Sequence, residues 1–216
     1  MDIVAPKVED YLRGLFATDG HPVAEEMERV AEERGFPIVG PLVGRMLELF
    51  ARSVGARRIL ELGSGYGYSA YWFARAVEPG GEVHMTEGDP ENQREALAYL
   101  ERAGLADRVH SHVGDAIELM DRLEGEFDVI FCDIDKPAYP DAWRKARERL
   151  RPGGLYLCDN VLWSGRVADE GPAEGDGGVT DAIREHNALV AADADYDTTI
   201  VPLRDGVMVA RRRLPR

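Results

Sequence analysis

The sequence predicts an α/β fold of the doubly wound type: a mostly parallel sheet with helices on both faces. Three observations carry that prediction. From residue 57 onward, short apolar runs alternate with stretches of helical periodicity. Two of the runs, Phe127–Cys132 and Leu155–Cys158, are apolar on both faces, as strands in the middle of a covered parallel sheet must be. Gly63, Gly65 and Gly67 punctuate the junction between the first run and the helix after it.

Residues 6–50 read as helices that cover a pocket. Ala24, Met27, Val30 and Ala31 recur at helical spacing, and Gly35-Phe36-Pro37 ends that run. Leu42, Met46, Leu49 and Phe50 form a second apolar stripe, with Pro41 suited to a first helical turn. Arg58–Leu62 is the first strand and Tyr68–Val77 a helix. Glu82–Thr86 is the second strand, followed by a crossover helix at Glu91–Ala103. Arg108–Val113 is the third strand, with a helix at Ala116–Leu123. Phe127–Cys132 is the fourth strand, with a helix at Ala142–Leu150, and Leu155–Cys158 is the fifth. Residues 165–178 hold five glycines and little apolar content, so they read as a mobile loop: either a lid over the pocket or an acidic insert. A helix at Val179–Ala191 leads to Tyr196–Val201 and Val207–Arg211. Asp205-Gly206 between these is a hairpin signal, so the sheet should end in an antiparallel pair. No internal repeat or domain boundary is visible, and residues 1–216 read as a single domain.

Bulk properties narrow the function. The 216 residues are 44% apolar, enough for one core. No apolar run reaches the roughly 18 residues of a membrane span. Met1–Tyr11 lacks the basic and apolar regions of a signal peptide. Cys132 and Cys158 both fall inside strands, which points to buried thiols, a reducing compartment and a cytoplasmic protein. A net charge of −14 opposes a phosphate backbone, so nucleic acid is not the expected partner. With only three lysines, Lys7, Lys136 and Lys145, the acidic surface suggests either a salt-adapted source or a GC-rich genome.

The stretch Gly63-Ser64-Gly65-Tyr66-Gly67 follows a strand and opens a helix, so backbone N–H groups are free to meet an anionic group. A dinucleotide fingerprint needs a third glycine where Tyr68 stands, which weighs against a nicotinamide or flavin cofactor. Glu87 at the end of the second strand is placed to accept from both ribose hydroxyls, which suits dinucleotides and S-adenosylmethionine alike. Gly114-Asp115-Ala116 ends the third strand, where an adenine edge belongs. Ser69 suits the carboxylate of a methionine moiety. Glu61 lies within a strand and needs a polar partner, either the cofactor's amino end or a structural hydrogen bond.

Asp133 ends the fourth strand, and Asp159 and Asn160 end the fifth. If these strands are neighbours, three oxygen ligands converge beyond their carboxyl ends. Waters and acceptor oxygens would complete a six-coordinate shell that suits Mg2+, with Ca2+ or Mn2+ as substitutes. Lys136 is then either the base for an acceptor hydroxyl or a charge partner of Asp133 or Asp135. Asp135 is either a further ligand or the group that orients Lys136. Tyr139 and Trp163 are expected walls for a planar acceptor, whereas Trp143 reads as core. His110 and His112 share a strand face without a third ligand and read as structural.

The words ILELGSGYGYSA at 59–70, FCDIDKPAYP at 131–140 and LCDNVLWSGRV at 157–167 resemble the cation-dependent class I O-methyltransferases, which include catechol and caffeoyl-coenzyme A methyltransferases. The resemblance spans about residues 37–212, and Ile134 stands where relatives usually have alanine. It implies a Rossmann-like sheet of order 3-2-1-4-5-7-6, S-adenosylmethionine with a divalent cation, and transfer to a hydroxyl of a catechol-like small molecule. It also implies Asp133, Asp159 and Asn160 as metal ligands, with Asp133 bordering the cofactor too. Lys136 becomes the base, Glu87 the ribose acid and Gly63–Gly67 the cofactor loop, and the resemblance implies a homodimer, as in many microbial members. Two other readings remain. A hydroxyuridine in tRNA would need a basic rim near Arg144, Arg147 and Arg151. An NAD-dependent oxidoreductase would need the missing glycine.

Overall fold

The computed structural model describes residues 4–16, 20–171 and 175–215. Three helices come first: α1 (Pro6–Phe16), α2 (Pro22–Arg34) and α3 (Gly40–Ser53). Then follow β1 (Arg58–Leu62), α4 (Tyr68–Ala76), β2 (Glu82–Glu87), α5 (Pro90–Arg102), β3 (Val109–Val113) and α6 (Ala116–Arg122). The chain continues through β4 (Phe127–Cys132), α7 (Tyr139–Arg149), β5 (Leu150–Cys158), α8 (Val179–Ala192), β6 (Tyr196–Val201) and β7 (Val207–Arg212). The seven strands form one sheet of order β3-β2-β1-β4-β5-β7-β6. Strand β7 runs antiparallel to both β5 and β6, and the other pairings are parallel.

Side-chain alternation explains why both faces are covered. Ile59, Val129, Phe131, Leu155 and Leu157 point to one side, where they join Trp72 and Phe73 of α4 and Met27 and Leu47 of α2 and α3. Leu60, Leu62, Ile130, Cys132, Tyr156 and Cys158 point to the other, against Trp143 of α7 and Ile183 of α8. Both cysteines are buried and free. The order of strands reverses between β1 and β4, which opens a crevice at their carboxyl ends.

Several local expectations shift. The segment read as helices, 6–50, holds three, with residues 35–39 as an irregular linker where Gly35-Phe36-Pro37 was expected to end a run, and residues 17–19 lie outside the described residues. Gly35 takes φ 63° to close α2, and its N–H donates back to Glu32. The α3 stripe is rotated from the expected one. Leu42, Val43, Leu47 and Ala51 are buried, while Leu49 is 65% exposed, because α3 packs closely on α4 through Gly44. Helix α7 stops at Arg149, one residue early, and β5 begins at Leu150 rather than Leu155, since Leu150 already pairs with Phe127. Within the expected loop 165–178, Trp163–Ala168 forms short 3-10 turns and residues 172–174 lie outside the described residues. The start Met1–Asp2–Ile3 also lies outside them. Among the described residues no helix is long and apolar enough to cross a membrane.

His110 and His112 acquire a neighbour that the strand pattern did not supply. His84 of β2 stacks on both rings, and its Nδ1 lies 3.1 Å from His112 Nε2. The trio remains a polar stack at the sheet edge.

The α3–α4 contact has a sharp steric limit. A Cβ on Gly44 would sit 2.2 Å from Trp72 Nε1 and 2.4 Å from Cδ1. Gly44→Ala should therefore lower stability by about 1–3 kcal/mol despite alanine's better helix propensity. Thermal or urea denaturation measures this; an unchanged or raised midpoint would show that the helices move apart freely.

Candidate active site

The register of β4 and β5 places Cys132 opposite Cys158, and Asp159 N–H donates to Cys132 O at 3.1 Å. Asp133 and Asp159 follow these paired residues directly, on strands about 4.8 Å apart. On the other side, Asp133 N–H donates to Leu62 O at 2.9 Å, which joins this tip to the glycine turn. Gly63 takes φ 83°, and a Cβ there would lie 2.5 Å from Asp133 O. Only glycine satisfies both demands.

These tips border a cavity of 610 Å³. Its walls include Gly63, Ser64, Gly65, Tyr66, Ser69, Glu87, Gly114, Asp115 and Ala116 at one end, and Asp133, Asp135, Lys136, Asp159 and Asn160 at the other. Gly67 and Glu61 stand behind the wall. Gly67 (φ 89°) lets the turn lie on Ala96, whose Cβ would be 2.7 Å from an added Cβ. Tyr66 donates its hydroxyl to Met27 O at 2.8 Å and turns its ring edge-on to Phe36.

The carboxylates differ in how they are held. Glu87 Oε1 accepts from Asp89 N–H at 2.9 Å. Asp115 Oδ1 caps α6 by accepting from Glu118 N–H at 2.9 Å, so only its other oxygen is available to a ligand. Glu61 is wholly buried, and among the described residues neither carboxylate oxygen has a partner of full hydrogen-bond geometry, the Ser64 and Ser69 hydroxyls being only near neighbours. Burial pushes it up to about 7, although the hydroxyls of Ser69 and Ser64 pull the other way. An orphaned buried carboxylate under a glycine turn fits a cationic ligand group.

Asp159 is 2% exposed, and its Oδ1 has no partner. Burial, then the charge of Asp133, pushes it up to about 7. Lys136 Nζ donates to Asp133 Oδ1 at 2.9 Å and to Ile134 O at 3.2 Å. Burial disfavours the charged ammonium, but Asp133 beside it outweighs burial and holds Lys136 above the ordinary lysine range. With Asp133 unshared, Lys136 is thus a proton-bearing cation. A buried, unpaired carboxylate costs several kcal/mol and is tolerated where a cation completes it. Among the described residues no three Asp, Glu, His or Cys side chains form a metal cluster. The set here has two carboxylates and a carboxamide, and the orphaned Asp159 oxygen beside Asp133 fits a hard cation.

The loop after Asp159 is strained. Asn160, Trp163 and Ser164 have φ of 57°, 47° and 54°. Each such residue costs about 1–3 kcal/mol, so the surroundings must enforce it. They do: Val161 and Leu162 donate to Gly206 O and Asp205 O at 3.1 and 2.9 Å, and Asn187 Nδ2 donates to Val161 O at 2.8 Å. The β6–β7 hairpin therefore clamps the Asn160 loop.

Two expected acceptor walls are displaced. Tyr139 is fully buried and donates its hydroxyl to Asp159 O at 2.9 Å, with Lys136 Nζ 5.2 Å from its ring centroid. It braces the carboxylates from behind. Trp163 packs against the α8 side of the core and does not line the cavity, because left-handed backbone turns it inward. In their place the cavity has Phe36, Pro37, Ile38 and Val39 of the α2–α3 linker, and Arg204 of the hairpin. Pattern reading saw Gly35-Phe36-Pro37 as a helix stop and 202–206 as a turn. Their punctuating residues hid their place at the site. Thr86 and Asn92 are further wall residues outside the expected set.

A Rossmann-like sheet of order β3-β2-β1-β4-β5-β7-β6 with a glycine turn over this cavity is the architecture of S-adenosylmethionine-dependent methyltransferases. The profile of the O-methyltransferase family matches residues 16–213, reaching into the N-terminal helices that the motif words leave out. A catechol O-methyltransferase of Niastella koreensis is 35% identical over 202 residues, covering 91% of this chain and 90% of that protein. The O-methyltransferase TomG of Streptomyces achromogenes, solved with SAM, superimposes with a TM-score of 0.85 at 29% identity over 96% of each chain. An O-methyltransferase of Bacillus cereus, solved with SAH, has a TM-score of 0.85 at 30% identity, covering 96% of this chain and 97% of that one. The chain belongs to the O-methyltransferase family and is a SAM-dependent O-methyltransferase.

Glu61 yields a pH prediction. Its folded pKa of about 7 lies above the ordinary 4.5, so the folded protein holds the proton more tightly. Its contribution to stability is present below about pH 4.5 and is lost as pH rises through 7. Glu61→Gln should flatten this loss, by at most about 3 kcal/mol at pH 8 in ligand-free protein, and weaken S-adenosylmethionine binding at least tenfold. Melting curves across pH and calorimetric titration test both halves. A variant no more stable at pH 8, or with unchanged affinity, contradicts the assignment.

Proposed function

We propose that the chain transfers the methyl group of S-adenosylmethionine to one hydroxyl of a vicinal aromatic diol, with dependence on a divalent cation. The observation that carries this reading is the adjacency of Asp133 and Asp159, the latter buried with an orphaned oxygen, beside Lys136. Relatives named catechol and caffeoyl-CoA O-methyltransferase support the acceptor class.

Donor binding follows from the first wall. The Gly63–Gly67 turn admits close approach of the donor, Glu87 accepts from its ribose hydroxyls, and Asp115 with Gly114 and Ala116 borders its adenine. Ser69 faces the methionine carboxylate and Glu61 offsets the charge of its ammonium. Asp133, Asp159 and Asn160 would hold Mg2+, or Mn2+ or Ca2+ in its stead. When bound, such an ion lowers the pKa of a hydroxyl that it contacts. Were Asp133 to hold such an ion, the main reason for Lys136 to stay protonated would be gone, and Lys136 would be the group to accept the acceptor's proton. Asp135 lines the same space and helps to orient Lys136. Alignment of nucleophile and methyl group is the protein's chief remaining contribution.

The tRNA alternative loses its basic rim. Arg144 is paired with Asp141 and Glu185, Arg147 with Asp193, and Arg151 with Asp128. At the position where the NAD reading needs glycine, Tyr68 begins α4 and donates its hydroxyl to Glu28 at 2.6 Å. Buried free thiols at Cys132 and Cys158 support a reducing, cytoplasmic setting. Exposed Val8, Tyr11, Leu15 and Phe16 on α1 support a homodimer that covers them.

Calorimetry with S-adenosylmethionine and with NAD, each with and without Mg2+, tests the donor and cation. Asp133→Ala and Asp159→Ala should each lower Mg2+-dependent catechol methylation at least about 1000-fold while leaving donor affinity within about tenfold. Lys136→Ala should lower kcat about 100-fold or more with little change in melting temperature. Wild-type turnover in both aspartate variants ends the cation reading, and a wild-type rate in the lysine variant ends the base role.

A further inference from the structure

The acceptor end of the cavity is formed where three segments meet: the linker Phe36–Val39, the loop at Asn160, and the β6–β7 hairpin. Among the described residues two cationic side chains face this cavity, Lys136 and Arg204. Lys136 is ion-paired with Asp133 at 2.9 Å. Among the described residues Arg204 has no carboxylate partner. Its recorded hydrogen bond runs from Nη1 to the carbonyl oxygen of Ile38 at 2.5 Å, which leaves most of its five N–H donors without a protein acceptor. The neighbouring Asp205 turns its Oδ1 to Ser164 N–H.

The backbone adds a second argument. Arg204 has φ 51°, a conformation that costs a Cβ-bearing residue about 1 kcal/mol or more and that glycine adopts freely. The hairpin holds a strained arginine at a cavity wall, with its Nη1, Cζ and Cδ beside Gly40 of α3. An unpaired guanidinium in a cleft is a fork for a planar anion. The same 610 Å³ must admit donor and acceptor together, which favours a compact acid over a bulky conjugate.

We propose that Arg204 is a specificity determinant that pairs with a carboxylate of the acceptor, so that the preferred acceptor is a small aromatic vicinal diol bearing an acid group. This rests on the diol O-methyltransferase reading above. The guanidinium receives the carboxylate while its Nη1 keeps the linker in place, and the diol end reaches toward Asp133, Asp159 and Lys136.

The test compares 3,4-dihydroxybenzoate with catechol as acceptors for the wild type, Arg204→Gln and Arg204→Lys. The wild type should favour the acid by more than tenfold in kcat/KM. Arg204→Gln should bring that ratio near one, mainly through KM for the acid. Arg204→Lys keeps a charge and a donor for Ile38, and should restore part of the preference. A wild-type ratio at or below one overturns the inference. So does an equal fall for both acceptors in Arg204→Gln, which would make Arg204 a staple of the linker only. Methylation of both diols with an unmoved ratio defeats this inference alone; methylation of neither defeats the diol reading and the inference with it.

Discussion

The pairing of Cys132 with Cys158 across β4 and β5 is the constraint from which the site follows. It sets two strand ends level, so that the next residue on each, Asp133 and Asp159, stands beside the other. The same Asp133 backbone is hydrogen-bonded to Leu62 and lies under Gly63, so the carboxylates and the donor turn share one rigid junction. A slip of one residue of β5 in that register would turn Asp159 to the opposite face and take Cys158 out of its buried place beside Cys132.

That junction holds two electrostatic faults that a purely structural core would not keep. Glu61 and Asp159 are both buried with carboxylate oxygens unpartnered, and both are pushed up to about 7. Glu61 stands behind the wall of the working cavity and Asp159 lines it, with Asp133 acting on both. One fits the ammonium of the donor and the other fits a cation at the acceptor. Lys136 occupies part of the second role in the meantime by pairing with Asp133. Around these faults the scaffold is braced: Tyr139 holds Asp159 O, and the β6–β7 hairpin holds the left-handed loop at Asn160.

Much of this was legible in the sequence. The antiparallel end and the convergence of Asp133, Asp159, Asn160 and Lys136 on one cleft follow from apolar runs that end in short polar words, whereas the strand order came only with the family resemblance. Long-range packing was not legible. Tyr139 and Trp163 look like acceptor walls because aromatic residues near a polar motif suit a ring, yet one is buried behind Asp159 and the other is turned inward by its backbone. Phe36 and Arg204 sit in segments whose glycines and prolines read only as punctuation, and nothing local tells that residues 166 positions apart, Ile38 and Arg204, will meet. The α3 face was misjudged for a similar reason: Gly44, small enough to admit Trp72, decides which side is buried.

Anomalous scattering from crystals soaked in Mn2+ together with S-adenosylhomocysteine tests the central claim most directly. The account predicts a single strong peak bounded by Asp133, Asp159 and Asn160, with Lys136 released from Asp133. A peak elsewhere in the cleft, or none with Lys136 still paired to Asp133, would contradict it.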